Sequence, residues 1–395
     1  LDPDDLADLL PEMPEDVIEQ LLQKLDDQHR ERLEAVLPYP EDTAGGLMNV
    51  DTITIRADIT LDVVLRYLRR LGKLPETTDS LMVVDREGIY LGLLPLTTLL
   101  TELAFSTLVD LRLTETFRDS TRAYYLARGG VSAGRMILQE DRNRYDSRDE
   151  TWSQGVVNYP VGEGAVSIDI QDLDGKLAIN ELVNGNNPQT LVVDRFYRFF
   201  VALGIEHQAD PAELTAALID WLDEGDEPYP IILTDDVNIP VAGAEDIYYQ
   251  GKSTPYACKN APLETLEELL LVKGFTPELF KLAAPHLAVN GSAQININTA
   301  SSKVLMSLHS LVDERVAELI IAHRQDTAIT AMTELEDTLD AEVYSALKSL
   351  SNQRKLGTTS SFYRITSHAS INDGNRRLVA EVDKQDNTLL FIKVD

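Results

Sequence analysis

A chain of 395 residues is longer than one hydrophobic core usually organises, and its 44% hydrophobic and 26% charged residues exclude both global disorder and a membrane-embedded bundle. The 66 acidic against 35 basic residues give a formal charge of −31. Such a field repels phosphate backbones and anionic headgroups and suits divalent cations better.

The first residues, LDPDDLADLL, carry neither an initiator Met nor the basic start and apolar run of a signal peptide, so the chain reads as a fragment. From Asp2 to Leu37, leucines three and four apart in LADLL, VIEQLLQKL and RERLEAVL predict short amphipathic helices punctuated by Pro11 and Pro14. DTITIRADIT then alternates like a strand and LDVVLRYLRRLGK repeats like a helix. SLMVVDREGIYLGLLPL predicts two strands about a turn at Glu87-Gly88. The apolar stretch from Leu91 to Val109 is broken by Pro95 and Glu102, so no transmembrane helix is expected.

Residues Thr101 to about Arg142 predict a long amphipathic helix with Gly129-Gly130 as its weak point. In GAVSIDIQDLDGKLAINEL, Asp174-Gly175 stands between two strand-like runs as a hairpin signal. From Gln189 to Ser349 the pattern is mainly helical, as in TLVVDRFYRFFVALG, PAELTAALIDWL and DERVAELIIAHR. The end predicts strands, SFYRITSHASI and RRLVAEVDK about an Asn372-Asp373-Gly374 turn, then NTLLFIKVD. The whole is an α+β layout.

Two resemblances attach to this order. DDLADLL, YPEDTAGGLM, VLRYLRR and VVDREGIYLGLLPL resemble the cytosolic part of MgtE-type magnesium transporters. That likeness implies the helical end of an N domain over 1–38 and a single CBS-like motif over 39–100, with no second motif following. From about residue 102, DLDGKLAINELV, ALIDWLDEGDE, GAEDIYYQGKSTPYACKNAPLETLEELLLVKGF and ININTASSKVL resemble the minor pseudopilin K family of type II secretion. This second likeness implies a pilin-like helix over 101–142, pilin-like strands over 143–188, an inserted helical domain over 189–350 and closing strands over 351–395. It also implies an assembly role at the tip of a periplasmic pseudopilus, with minor pseudopilins I and J as partners, at the inner membrane where full-length relatives are anchored. The family's prepilin cleavage site and membrane helix are absent from the sequence, so as written the chain is not expected to insert in a membrane.

Between Arg198 and Lys252 no Lys or Arg occurs, while acids crowd the segment. In DWLDEGDE the carboxylates stand at i, i+3, i+4 and i+6 about a predicted helix end, and Gly225 allows a sharp turn. The spacing is not that of an EF-hand. The pseudopilin K family binds calcium in this region, and by that resemblance Asp220, Asp223, Asp226, Glu245 and Asp246 are the candidate ligands; solvated surface acids are the alternative. The MgtE likeness similarly makes Asp4, Asp5, Asp8, Glu41 and Asp42 candidates for magnesium. A magnesium-sensing CBS fragment fused to the secretion component is the second functional expectation.

Other chemistries find little support. ININTASSKVLMSLHSLVDERVAELIIAHR resembles helix-hairpin-helix repeats, but Asp313 and Glu314 stand where a phosphate would approach, and no nucleic-acid partner is expected. The six histidines form no metal spacing, and neither a P-loop nor a GxSxG elbow occurs, so an enzyme is not expected. Cys258, the one cysteine, predicts a buried structural thiol.

Overall fold

The computed structural model describes residues 52–72, 74, 78–232 and 238–395, with positions 13, 14, 16–18, 30, 38–40, 43 and 44 before them. Of the helices expected within 1–38, positions 16–18 and 30 are described and are helical; the acids Asp4, Asp5, Asp8, Glu41 and Asp42, and Asp235 and Asp236, lie outside the described residues. The chain divides into two compact units, Leu1–Glu115 and Thr116–Asp395.

In the first unit, strand β1 (Thr54–Arg56) pairs in parallel with β2 (Ser80–Val84), which pairs antiparallel with β3 (Tyr90–Pro95). Helix α1 (Leu61–Leu71) joins β1 to β2. Val64 of this helix packs with Ile53, Ile55, Leu81 and Leu99 into a small core. The turn before β3 fell where the sequence placed it: Gly88 takes φ 81, and Asp85 Oδ1 accepts from the backbone N–H groups of Glu87 and Ile89. Strand, helix, strand, strand and helix follow in the predicted order.

Helix α2 runs from Leu96 to Glu140, five residues earlier than expected, and crosses the division between the units. It does not weaken at Gly129-Gly130. Gly130 is small for packing: a Cβ there would fall on Ser367 Oγ and 2.9 Å from Val166 Cγ2. Four residues on, a Cβ at Gly134 would meet Ile365 Cγ2 at 2.8 Å. With Ala123 and Ala127 these glycines form the helix face that lies closest to the sheet.

That sheet is antiparallel and five-stranded, β4 (Val156–Val161), β5 (Gly164–Asp172), β8 (Phe362–Ile371), β9 (Gly374–Asp383) and β10 (Thr388–Val394), in the order β10-β9-β8-β5-β4. Strict alternation sends Tyr363, Ile365 and Ala369 of β8 to the covered face, where they meet Val131 and Leu138 of the helix and Ile168 and Ile170 of β5. The β8–β9 turn uses Asn372 at φ 47 before Gly374, as its sequence predicts.

Between β5 and its sheet neighbour β8 lies a long excursion with its own core. Helices α3 (Thr190–Leu203), α4 (Pro211–Leu222), α5 (Asp246–Gln250), α6 (Pro277–Ala283), α7 (Ser302–Ser307), α8 (Glu314–Asp326) and α9 (Ala341–Asn352) are joined by a short hairpin of β6 (Pro230–Ile232) and β7 (Asn238–Ala242). Phe196, Phe199, Phe200, Leu218, Ile219 and Tyr249 are among its fully buried residues. The excursion starts before residue 189, because Asp174-Gly175 does not close a hairpin. Leu177–Ala178 instead pairs in parallel with Leu287–Ala288, and Asp174 turns its carboxylate inward. A Cβ at Gly175 would meet the backbone of Thr299, so the glycine serves a close crossing of two chain segments.

Candidate cation site and a buried carboxylate nest

Helix α4 carries the first part of the candidate site. Asp210 caps its N-terminus by accepting from Ala212 N, Pro211 opens it, and its apolar residues bury it on nearly every side. The burial takes Asp220 with it, at 0% exposure, and Asp223 just past the helix end is 7% exposed. Strand β7 then returns past Gly243 to Glu245, which is 5% exposed.

Asp220 Oδ1 accepts from Tyr229 N at 2.8 Å, and the backbone N–H of Ala244 favours its charged form; among the described residues, its buried Oδ2 and both buried carboxylate oxygens of Glu245 meet no donor in hydrogen-bonding geometry. Burial, followed by the negative charges of Asp220, Asp223, Asp226 and Asp246, pushes the Glu245 carboxyl up to about 7. Four of the acids named from the sequence thus act on the fifth, Glu245. Burial likewise pushes Asp220 up to about 7, and raises Asp223. Lys273, distant in sequence, offsets Asp220 in part, and its Nζ lies 3.5 Å from Gly243 O.

The five differ in how they are engaged. Asp223 Oδ1 accepts from Gly225 N at 3.2 Å. Asp246 is committed within the protein, accepting from Cys258 N at 2.6 Å and from Gln250 Nε2 at 3.1 Å. Asp226 is exposed. Asp220 and Glu245 therefore carry the unmet demand. A buried carboxylate oxygen without a donor is costly, and a hard cation binds oxygen ligands of this kind, yet among the described residues no three of these acids bring ligand oxygens within 4.8 Å of one another.

A second group of acids went unnoticed in the sequence. Asp146, Asp172 and Asp174 are buried where the sheet meets the excursion. Asp172 Oδ2 accepts from Asn296 Nδ2, Ser360 Oγ and Thr299 Oγ1, and its Oδ1 accepts from Asp174 N. Asp174 accepts from Ser292 N with one oxygen and from Ser361 N and Phe362 N with the other. Asp146 accepts from Ser360 N, Tyr363 Oη and Lys384 Nζ. Every oxygen finds a donor, so this nest is a structural joint. Asp146 also stands close to Asp141 and Glu150, but Lys384 bridges Asp141 and Asp146, and Glu150 accepts from Ser147 N and Trp152 Nε1. The motif ININTA marks the same joint. Arg195 donates to Ala293 O, Arg324 to Ile297 O and Ala300 O, and Arg148 to Thr299 O.

The helix-hairpin-helix likeness also resolves into packing roles. Asp313 caps α8 by accepting from Val316 N, and Gly274 sits at φ 87 against Leu214. Cys258 is buried and free, as its sequence context suggested.

Comparison with known proteins matches the two halves of the chain differently. Residues 175–291 match the family model described as Type II secretion system (T2SS), protein K. Over this region the chain is similar to type II secretion protein K. The protein K of Klebsiella pneumoniae is 26% identical over 196 residues, 47% of this chain and 56% of the relative, so the chain spans just over half of that relative's length. That of Pseudomonas aeruginosa is 23% identical over 67% of this chain and 77% of its own length. A chain in the crystal structure of the GspK-GspI-GspJ complex from enterotoxigenic Escherichia coli shares the fold, with a TM-score of 0.50 and 18% identity over 73% of this chain and 99% of that one. Residues 1–42 match the MgtE intracellular N domain, and the Thermus thermophilus magnesium transporter MgtE is 38% identical over 24% of this chain and 21% of the transporter. Among the described residues, no helix is long and apolar enough to cross a membrane.

Proposed function

We infer that residues from about 102 onward act as a minor pseudopilin of type II secretion, assembling with minor pseudopilins I and J on the periplasmic face of the inner membrane, with no catalytic role. The observation that carries this is the shared architecture, a long helix on an antiparallel sheet with a large helical insertion between adjacent strands, in a chain whose sequence is similar to protein K. Co-purification of this chain with minor pseudopilins I and J tests it; failure to form a complex at micromolar concentrations sinks the assembly role.

The same reading includes calcium held by Asp220, Asp223, Glu245 and Asp226, with Asp246 orienting the loop beside them. Bound there, a cation would supply positive charge to oxygens that have no donor of their own and so fasten α4 to the chain after β7. Thermal denaturation in calcium and in EGTA checks this, and equal midpoints would remove the cation from the account. A second role, magnesium sensing, is favoured only by the match of residues 1–42 to the MgtE N domain. Its sign would be magnesium-dependent stabilisation confined to residues before 100.

A further inference from the structure

We propose that a cavity of about 300 Å³ where β5 meets the excursion binds a small carboxylate, held between Lys176 and Arg148 and seated on Trp152, Ile170 and Pro285. This depends on neither the assembly reading nor the cation reading.

Lys176 follows the close crossing at Gly175 and is carried inward with it, to 8% exposure. Its Nζ donates to Gln171 Oε1 at 3.1 Å, a neutral acceptor, and among the described residues it forms no ion pair. The acids whose charge reaches it, Glu381 and Asp172, are committed elsewhere. Glu381 accepts from Arg364 with one oxygen and from Asn290 Nδ2 with the other, and both oxygens of Asp172 are taken up in the nest. Burial, with Arg364 repelling it, therefore pushes the Lys176 ammonium down to about 8. A charge drawn out of water without a counter-charge is costly, and an anion in the cavity that Lys176 lines would supply one.

Arg148 lines the same cavity. Its Nη2 donates to Thr299 O at 2.7 Å, which leaves other N–H groups of the guanidinium for a carboxylate, whose planar pair of oxygens they match. The surrounding field is positive although the chain carries a net charge of −31: burial, then the charges of Lys176 and Lys303, lower His286, whose Nδ1 lies 2.7 Å from the cavity hydroxyl of Ser301. Asp169 stands only at the exposed rim. Two cations set against an apolar wall favour an anion with an apolar body over a bare inorganic ion, and the volume suits a small organic acid or the last residue of a polypeptide.

Calorimetric titration of the full chain in EGTA with benzoate, N-acetylphenylalanine and N-acetylphenylalaninamide tests this. Saturable binding of either acid without binding of the amide supports the proposal. Benzoate stands for a free small acid and N-acetylphenylalanine for a chain end, so the tighter of the two names the source. Lys176→Met and Arg148→Gln are each expected to weaken the bound acid by on the order of tenfold or more. The thermal midpoint of Lys176→Met without ligand is expected to hold or rise, because an unpaired buried charge is removed, which separates lost affinity from lost folding. If Lys176→Met does not fold, Arg148→Gln decides, since the Arg148 side chain is exposed. Failure of both acids to bind at about 10 mM, equal binding of the amide, or unsubstituted-chain affinity in Arg148→Gln would overturn the proposal.

Discussion

Gly243 lies where the chain after β7 presses on α4. A Cβ there would fall on Asp220 Oδ2 and 2.8 Å from Ala216 O, and backbone cannot yield as a flexible side chain does. Gly243→Ala is therefore expected to cost about 1–3 kcal/mol of stability and to abolish the calcium-dependent shift in thermal midpoint. At the buried nest, burial and then the charge of Asp172 push Asp174 up to about 7, above its ordinary 3.8. A folded-state value raised in this way stabilises below about pH 4, and that contribution is lost as pH rises through 7. Urea midpoints in EGTA should thus fall between pH 5 and 8 in the unsubstituted chain. Asp174→Asn, which cannot titrate, should flatten part of that slope. At this scale the sequence showed the loop acids, since a run of carboxylates without bases is visible by inspection. It hid the nest, whose members reach donors 118 or more residues away and look like ordinary turn acids until the fold joins them.

Among the elements, α2 shows how one glycine pair divides. Gly130 faces the sheet, whereas a Cβ at Gly129 would meet nothing within 4 Å. Gly130→Val is expected to push the helix off β5 and β8 and to lower stability by about 2 kcal/mol or more, while Gly129→Ala should raise it by about 0.5–1 kcal/mol through helix propensity. Chemical denaturation of the two variants side by side checks the opposite signs. Periodicity made the helices and the β8–β9 hairpin legible, because both patterns are local. It failed at Asp174-Gly175, where a turn dipeptide between alternating runs promised a hairpin. The partner of Leu177–Ala178 is instead Leu287–Ala288, a pairing that no short window can contain.

Among the described residues, each of the two units has its own core, a small one about Val64 in the first and the extensive cluster of the excursion in the second. A fragment from Thr101 to Asp395 is expected to keep the main thermal transition of the full chain within about 3 °C and to keep its calcium shift; loss of both would tie the second unit to the first. The likeness to two families was readable because each lends long, ordered motifs.

The excursion leaves the sheet at Asp172 and rejoins it at Phe362, and those two ends lie side by side because β5 and β8 are neighbours. The central pairing of the sheet is therefore among the most distant in sequence that the chain makes. Its formation waits on closing the largest loop, whose entropy is met once the excursion has folded and brought its own ends together. Whatever tightens the excursion, a cation among its acids included, should then speed the completion of the sheet.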